Sequence, residues 1–206
     1  MTFPDKGYPS IADYCGDYLA RLARAGASID RAALGRAAEM LDAAFARSAW
    51  LFVCGNGGSA AIANHLLCDV AKGVQTDTGV LPRVVSLSSN TEIVTAIAND
   101  IAFEDCFLYQ LRTAARAGDL LMTVSSSGDS ENVVRALDWA AANGLESIAL
   151  TGFDGGRSAP LATVNLHVAG ENYGVIEDTH QSIVHMLAQF LRQAKMPDAL
   201  IAERKF

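Results

Sequence analysis

Two helical stretches of the sequence each carry a histidine and a carboxylate at a spacing that places both side chains on one face. His65 and Asp69 are four residues apart, and Glu177 and His185 are eight apart. Residues at these separations in a helix lie one above the other. A lone histidine on a helix is more often structural than functional. Two such pairs on separate helices can close around one site, where imidazole and carboxylate groups transfer protons near neutral pH.

The other two histidines are less informative. His167 lies in a predicted strand and is expected to be structural. His180 lies one turn off the line that joins Glu177 to His185, so it either lines the cleft or packs in the core. Gln181 lies on that line, between the two members of the pair.

Two short loops rich in glycine or serine indicate a phosphate site. "GNGGS" spans Gly55–Ser59 and "SSSGDS" spans Ser125–Ser130, and each follows an apolar run and precedes a helical stretch. Free N–H groups at a helix N-terminus and serine hydroxyls can donate to a tetrahedral anion. The alternative is that Ser130 only caps its helix while the other serines fill a polar turn. The density of donors favours phosphate.

The same loops do not match the common nucleotide motifs. Ala60 stands where the third glycine of a dinucleotide fingerprint would be, and no Gly-Lys-Ser/Thr follows, so a P-loop is absent from the sequence. Neither loop contains lysine. A small phosphomonoester held by neutral donors is therefore expected, with no nucleotide cofactor.

Apolar runs alternate with helical stretches along most of the chain. Strands are predicted at 50–54, 83–88, 120–125, 147–151 and 164–168, and helices at 59–72, 91–99, 103–116, 130–143 and 175–195. Two amphipathic helices precede them, the second beginning after the N-cap Asp30. This pattern predicts an α/β fold with a parallel sheet covered on both faces and ligands at the carboxyl ends of its strands. We expect one domain, 1–206, with an N-terminal helical segment (1–48) and an α/β core (49–206).

Composition limits the partners. The 206 residues are 50% hydrophobic and 19% charged, with a formal net charge of −7, which argues against nucleic acid or an anionic membrane as a partner. Because the sequence shows no long apolar span and no signal-peptide pattern, a cytoplasmic location is expected. The cysteines lack metal-ligand spacing and are predicted to be buried thiols; they are Cys15, Cys54, Cys68 and Cys106.

Five motifs in succession resemble those of the sugar isomerase (SIS) domain family, and in particular its phosphoheptose isomerases. They are "CGNGGSAAIANHLLCDV", "TAIANDIAFEDCF", "SSSGDSENVVRAL", "ALTGFDGG" and "EDTHQSIVHML". The resemblance covers nearly the whole chain. It implies a flavodoxin-like fold with a five-stranded parallel sheet, and N-terminal helices that build a homotetramer with active sites at subunit interfaces.

The resemblance also implies the site residues. Those matching the family's sugar-phosphate contacts are Asn56, Gly57, Gly58, Ser59, Asp100, Ser125, Ser126, Ser127 and Ser130. Those matching its active centre, which can bind zinc, are His65, Asp69, Glu177 and His185. Two of these four depart from the family: Asp69 replaces a glutamate and Glu177 replaces a glutamine. Gly174 and Val175 replace an aspartate and an arginine, which leaves recognition of the distal hydroxyls open.

These residues suit an isomerase that interconverts sedoheptulose 7-phosphate and a heptose 7-phosphate through an enediol. By resemblance Asp69 is the base and His185 the acid, and a divalent metal, zinc foremost, would polarise the carbonyl. A carboxylate bound to metal is a poor base, so Glu177 is a rival for that role. The alternatives are an isomerase of another sugar phosphate, or a non-catalytic SIS protein that senses sugar phosphates or serves as a scaffold for a replication initiator. Retention of both histidines favours an enzyme.

Overall fold

The computed structural model describes residues 2–206 as five strands and nine α-helices. The strands are Trp50–Gly55 (β1), Arg83–Ser86 (β2), Leu120–Ser125 (β3), Glu146–Thr151 (β4) and Val164–His167 (β5). The helices are Ile11–Ala27 (α1), Arg31–Ala46 (α2), Gly58–Cys68 (α3), Thr91–Asp100 (α4), Cys106–Ala114 (α5), Glu131–Ala142 (α6), Ser158–Leu161 (α7), Tyr173–Lys195 (α8) and Asp198–Ile201 (α9). None of the helices in the described part of the chain is long and apolar enough to cross a bilayer.

The sheet confirms the predicted flavodoxin-like architecture. All four strand pairs are parallel, and the strand order is β2-β1-β3-β4-β5. The chain leaves β1 toward β2 on one side and then returns to β3 on the other, so the switch point lies between β1 and β3. Ligands of open α/β sheets bind in the crevice outside the carboxyl ends of the strands at such a point. The loops that follow β1 and β3 are the two predicted phosphate loops.

Alternating residues of the strands face two separate hydrophobic layers. Leu51 and Val53 of β1 pack in the layer that includes α2, α3 and α8, whereas Phe52 and Cys54 pack in the layer with α5 and α6. Successive side chains of a strand point to opposite faces. A strand that is apolar throughout is therefore covered on both sides, as the sequence pattern predicts.

The two N-terminal helices differ in what they bury. The Asp30 carboxylate accepts hydrogen bonds from the N–H groups of Ala32 and Ala33, confirming the predicted N-cap of α2. The buried residues of α2 belong to the same hydrophobic layer as β1. On α1, by contrast, Ile11 and Leu19 are 81% and 55% exposed. The predicted role of this segment in oligomerisation stays a prediction.

Predicted helix 59–72 is divided in the structure. α3 ends at Cys68, and Asp69–Val74 continues as a π-helical turn. Predicted helix 103–116 is likewise a 3₁₀ turn, Phe103–Asp105, followed by α5. π-helical turns within longer helices occur frequently at functional sites, and this one begins at a residue predicted to take part in catalysis.

The prediction that all four cysteines are buried is wrong for two of them. Cys54 and Cys106 are buried, but Cys15 and Cys68 are exposed, and all four are free thiols. Cys15 lies on α1, of which Ala25 is the buried residue, and Cys68 ends α3 beside the candidate site. An apolar residue type alone does not show which face of a helix is covered.

Candidate active site

The loop between β1 and α3 is held tightly against its surroundings. A Cβ at Gly55 would lie 2.6 Å from the Ser59 carbonyl oxygen and 2.8 Å from the Val124 carbonyl oxygen, so only glycine fits there. Gly57 has a φ of 54° and precedes the first residue of α3. The side-chain amides of Asn56 and Asn132 donate to each other, at 2.8 and 3.0 Å. This pair ties the first loop to the start of α6.

The serine loop between β3 and α6 offers hydroxyl donors without partners. The Oγ atoms of Ser125 and Ser127 accept hydrogen bonds from the N–H groups of Gly128 and Asp129. Among residues 2–206, neither hydroxyl has an acceptor for its own proton, and the buried Ser126 Oγ has no hydrogen-bond partner at all. Ser130 occupies the N-cap position of α6, but its side chain makes no capping hydrogen bond. The capping alternative therefore does not describe the Ser130 hydroxyl, and the anion site stays a prediction.

Three of the four predicted metal ligands converge from two helices. His65 Nε2 lies 2.9 Å from His185 Nε2, and Asp69 Oδ2 lies 3.3 Å from the first nitrogen and 3.8 Å from the second. Gln181, one turn before His185 on α8, places its Nε2 atom 3.0 Å from the same His185 nitrogen. The packing of α3 and its π-helical turn against α8 brings these groups together.

The donor set fits a divalent metal. The ligand atoms of His65, Asp69 and His185 all lie within 4.8 Å of one another. Asp69 Oδ2 is buried and has no hydrogen-bond partner within the described residues, so this carboxylate oxygen lacks the donor that a buried polar atom normally has. Two imidazoles and one carboxylate are the ligand types that zinc and other first-row ions accept, and a set of three leaves a coordination position open.

Glu177, the fourth predicted ligand, lies outside this group. Its carboxylate packs against Gly58, where a Cβ would lie 2.8 Å from the Glu177 Cδ atom. Burial, and then the neighbouring Asp178 carboxylate, raise the pKa of Glu177 above its ordinary value. The structure therefore separates a cluster that can hold a metal from a carboxylate that lies at the N-terminus of α3, beside the first loop.

Asp100 is not brought to the two loops by this chain. It is exposed at the end of α4, and its carboxylate accepts a hydrogen bond of 2.7 Å from the Asn99 side chain. Among the described residues it makes no contact with the serine loop or the histidine cluster. Its predicted role in substrate binding stays a prediction.

The two remaining histidines are packed. His180 is fully buried, and its Nε2 atom lies 3.1 Å from the Thr151 carbonyl oxygen. Burial lowers the pKa of His180 to about 4, so the ring is neutral. The structure thus decides between the two interpretations of His180 in favour of packing. His167 Nδ1 contacts the Thr151 hydroxyl at 3.2 Å, in line with the structural role expected for it.

A tyrosine from α1 occupies the space beside Gly174. A Cβ at Gly174 would lie 3.0 Å from the Tyr18 hydroxyl, which donates a hydrogen bond of 2.6 Å to Asp178 on α8. Val175 is buried in the hydrophobic layer beneath. Gly174 and Val175, two of the four departures noted in the sequence, are therefore accounted for by packing against α1 and the core.

Sequence reasoning missed two residues of the site. Asn132 pairs with Asn56, and Gln181 contacts His185. The position of Gln181 between Glu177 and His185 was a usable signal, since residues four apart share a helix face. Nothing in the sequence marks Asn132, because its partner is 76 positions away.

Comparison with known proteins gives three concordant findings. The sequence model of the SIS domain matches residues 13–152. The chain is 33% identical over 165 residues to a phosphoheptose isomerase of Alteromonas mediterranea, covering 79% of this chain and 83% of that protein. The structure superposes on a phosphoheptose isomerase of Neisseria gonorrhoeae with a TM-score of 0.81 and 30% sequence identity, covering 88% of this chain and 98% of that one. It also superposes on a phosphoheptose isomerase of Francisella tularensis with a TM-score of 0.81 and 26% identity, covering 89% of this chain and 99% of that one.

Proposed function

This chain belongs to the SIS domain family, and on that premise we propose that it is an aldose–ketose isomerase that interconverts sedoheptulose 7-phosphate and D-glycero-D-manno-heptose 7-phosphate. The relatives named phosphoheptose isomerase support the reaction and the class of substrate. The observation that carries the proposal is the placement of the serine loop, a histidine–carboxylate cluster and a separate, partly buried carboxylate at the carboxyl ends of the strands.

The phosphate would be held by the two loops at the switch point. The serine hydroxyls of the second loop, whose protons have no acceptor among the described residues, supply donors. The N-termini of α3 and α6 add backbone N–H groups and partial positive charge. Held at the phosphate end, the sugar would extend toward α8, where the proton-transferring groups lie.

Isomerisation moves one proton between C1 and C2 and another between the two oxygens, through an enediol. We infer that Glu177 takes the carbon-bound proton. Its carboxylate is free of the histidine cluster, and its raised pKa brings it nearer the operating pH of a general base. Asp69, with one oxygen among the metal-ligand atoms, is the poorer base. Without metal on its Nε2 atom, His185 would transfer the proton between the two oxygens; with metal bound there, a water molecule would have to carry that proton.

We infer that His65, Asp69 and His185 hold a divalent metal, zinc foremost. Such an ion would polarise the substrate carbonyl and stabilise negative charge on its oxygen. The Gln181 amide nitrogen contacts the same Nε2 atom of His185 that would ligate the ion, so this contact would give way when metal binds.

The test is incubation of the purified protein with sedoheptulose 7-phosphate, followed by NMR of the products with and without added zinc. Formation of a heptose 7-phosphate supports the proposal, and Glu177→Gln, which the assignment of Glu177 as base expects to be inactive, is measured alongside. Unchanged substrate under both conditions contradicts it. Metal-free protein with full activity and no gain on adding zinc leaves the reaction standing and removes the metal.

A further inference from the structure

The serine loop carries negative charge inside the segment proposed to bind a dianion. Asp129 lies between Gly128 and Ser130, and Glu131 opens α6 directly after them. Both side chains are partly exposed, at 57% and 39%. Because like charges repel at short range, a free carboxylate at this position opposes the binding of a phosphate.

Arg157 binds both carboxylates. Its Nε atom donates to Asp129 Oδ1, and its Nη1 atom donates to Glu131 Oε2 at 2.8 Å. Its Nη2 atom donates to the Asp129 carbonyl oxygen at 3.1 Å, so the guanidinium holds the backbone of the loop as well. Hydrogen bonds from Arg135 and then Arg157 lower the pKa of Glu131, which keeps that carboxylate ionised and paired.

The loop that carries Arg157 is packed directly on the serine loop. The N–H groups of Ser158 and Gly152 donate to the carbonyl oxygens of Gly128 and Ser126, at 2.8 and 2.9 Å. A Cβ at Gly156 would lie 2.6 Å from the Ser127 carbonyl oxygen, so glycine is required where the two backbones meet. Arg157 therefore projects from a segment whose position relative to the serine loop is fixed.

Arg135 offers an internal comparison. It donates to Glu131 Oε1 at 2.8 Å and to Asp105 at 2.9 Å, but it does not contact Asp129. The two arginines thus share Glu131, and only Arg157 reaches the carboxylate within the loop. Loss of Arg135 removes a similar ion pair from the same helix while leaving Asp129 neutralised.

We propose that Arg157 is a positioning residue for the sugar-phosphate site, which draws the Asp129 carboxylate aside and neutralises it so that the serine loop accepts a phosphate. Arg157 acts through Asp129 and does not itself touch the substrate. The inference rests on the proposed function, since it concerns the phosphate end of the same site. It leaves the proton-transferring groups on α3 and α8 unaffected.

The test compares Arg157→Gln, Asp129→Asn and the double variant. Affinity for sedoheptulose 7-phosphate and for inorganic phosphate is measured by calorimetry, together with kcat and KM. We expect R157Q to raise KM and both dissociation constants about tenfold, with kcat within about twofold, since neighbouring charged groups couple on that scale. D129N/R157Q should return to within about threefold of wild type. Arg135→Gln, the matched control, should change KM less than about threefold.

The double variant distinguishes neutralisation of the Asp129 charge from a purely structural role of Arg157 in holding the loop. If R157Q binds both ligands as tightly as wild type, or if the double variant binds as weakly as R157Q, the proposal is overturned. Should R157Q fail to fold in thermal unfolding, Arg157→Met alone and with D129N provides the same comparison, because methionine keeps a long flexible side chain without the charge. Wild-type protein that binds neither ligand overturns the proposed function as well.

Discussion

At the scale of the residue, the serine loop is organised by its backbone while its hydroxyl protons stay available. The Gly128 N–H group bonds to the Ser125 carbonyl oxygen at 3.0 Å as well as to its hydroxyl, so the turn survives loss of the hydroxyl. We expect Ser125→Ala with Ser127→Ala to stay folded and to lose affinity for sugar phosphate by at least about 100-fold, since each donor to a charged acceptor contributes roughly 1.5–3 kcal/mol. Calorimetry measures this. Ser182→Ala, which loses a hydroxyl bonded to its own helix, is the control. Unchanged affinity would show that the loop is not the anion site.

If the histidine cluster holds a metal, losing either histidine should lower both the metal content and the activity of the protein. His65→Ala and His185→Ala each remove one of three ligands, so each should reduce metal retention by more than the roughly 10–100-fold that loss of an outer partner causes. Activity should be lost with the metal, and the fold should remain. Metal analysis of protein purified without chelator is the measurement. His167→Ala is the control, because its ring contacts Thr151 and lies outside the cluster. Equal metal content in all four proteins would rule the site out.

The role of Glu177 as base predicts how activity falls at low pH. A base works in its ionised form, and the ionised fraction falls as pH drops through the pKa. Because burial raises that pKa, activity should fall on acidification at a higher pH than for an ordinary glutamate. A pH profile of kcat/KM measures this. Glu177→Gln should retain metal and lose turnover, whereas Asp69→Asn should lose metal. A Glu177→Gln variant that keeps wild-type turnover would return the role of base to Asp69.

At the scale of the element, the first turn of α3 must approach α8 closely. The Glu177 carboxylate occupies the space that a Cβ at Gly58 would need. Gly58→Ala should therefore displace Glu177 and lower kcat by at least about tenfold, with metal content unchanged. Gly35→Ala on α2 is the matched control: a Cβ there meets nothing within 4 Å, so stability should stay the same or rise by about 0.4–1 kcal/mol. Kinetics and thermal unfolding of both variants provide the test. Normal turnover in Gly58→Ala would mean that the position of Glu177 is not critical.

The elements also show which features a sequence can reveal. The five strands follow from apolar runs separated by helices, since such runs are buried on both faces of a parallel sheet. Their order within the sheet is not predicted by these runs and comes from the structure. The turn at Asp69 could not be foreseen, because a single π-helical turn is too short to show a periodicity of its own. The separation of Glu177 from the histidines was, by contrast, readable from the spacing. Helix spacing places Glu177 and His185 on one face, but the two lie eight residues, about 12 Å of helix, apart.

At the scale of the whole molecule, α8 links the site to the outer surface. His185 faces the cluster, while its neighbour Met186 and the nearby Phe190 are 41% and 57% exposed. With Leu34 on α2 and Phe206 at the end of the chain, these two side chains line an apolar groove of about 590 Å³. Exposed aromatic and methionine side chains grouped in this way are typical of surfaces that bind another protein.

We therefore expect a homotetramer with two-fold interfaces, at least one of which covers this groove. Phe190→Glu places a charge where apolar contacts would form, so it should shift the protein to smaller species at micromolar concentration. Phe190→Leu, which keeps the apolar character, should assemble like wild type. Sedimentation equilibrium measures both. The same helix, α8, carries His185, Glu177 and Gln181. Disassembly should therefore lower turnover clearly while changing the thermal unfolding temperature little. A wild-type monomer at micromolar concentration would refute the tetramer. Phe190→Glu that assembles like wild type would place the interfaces elsewhere, with the exposed Ile11 and Leu19 of α1 as the next surface to alter.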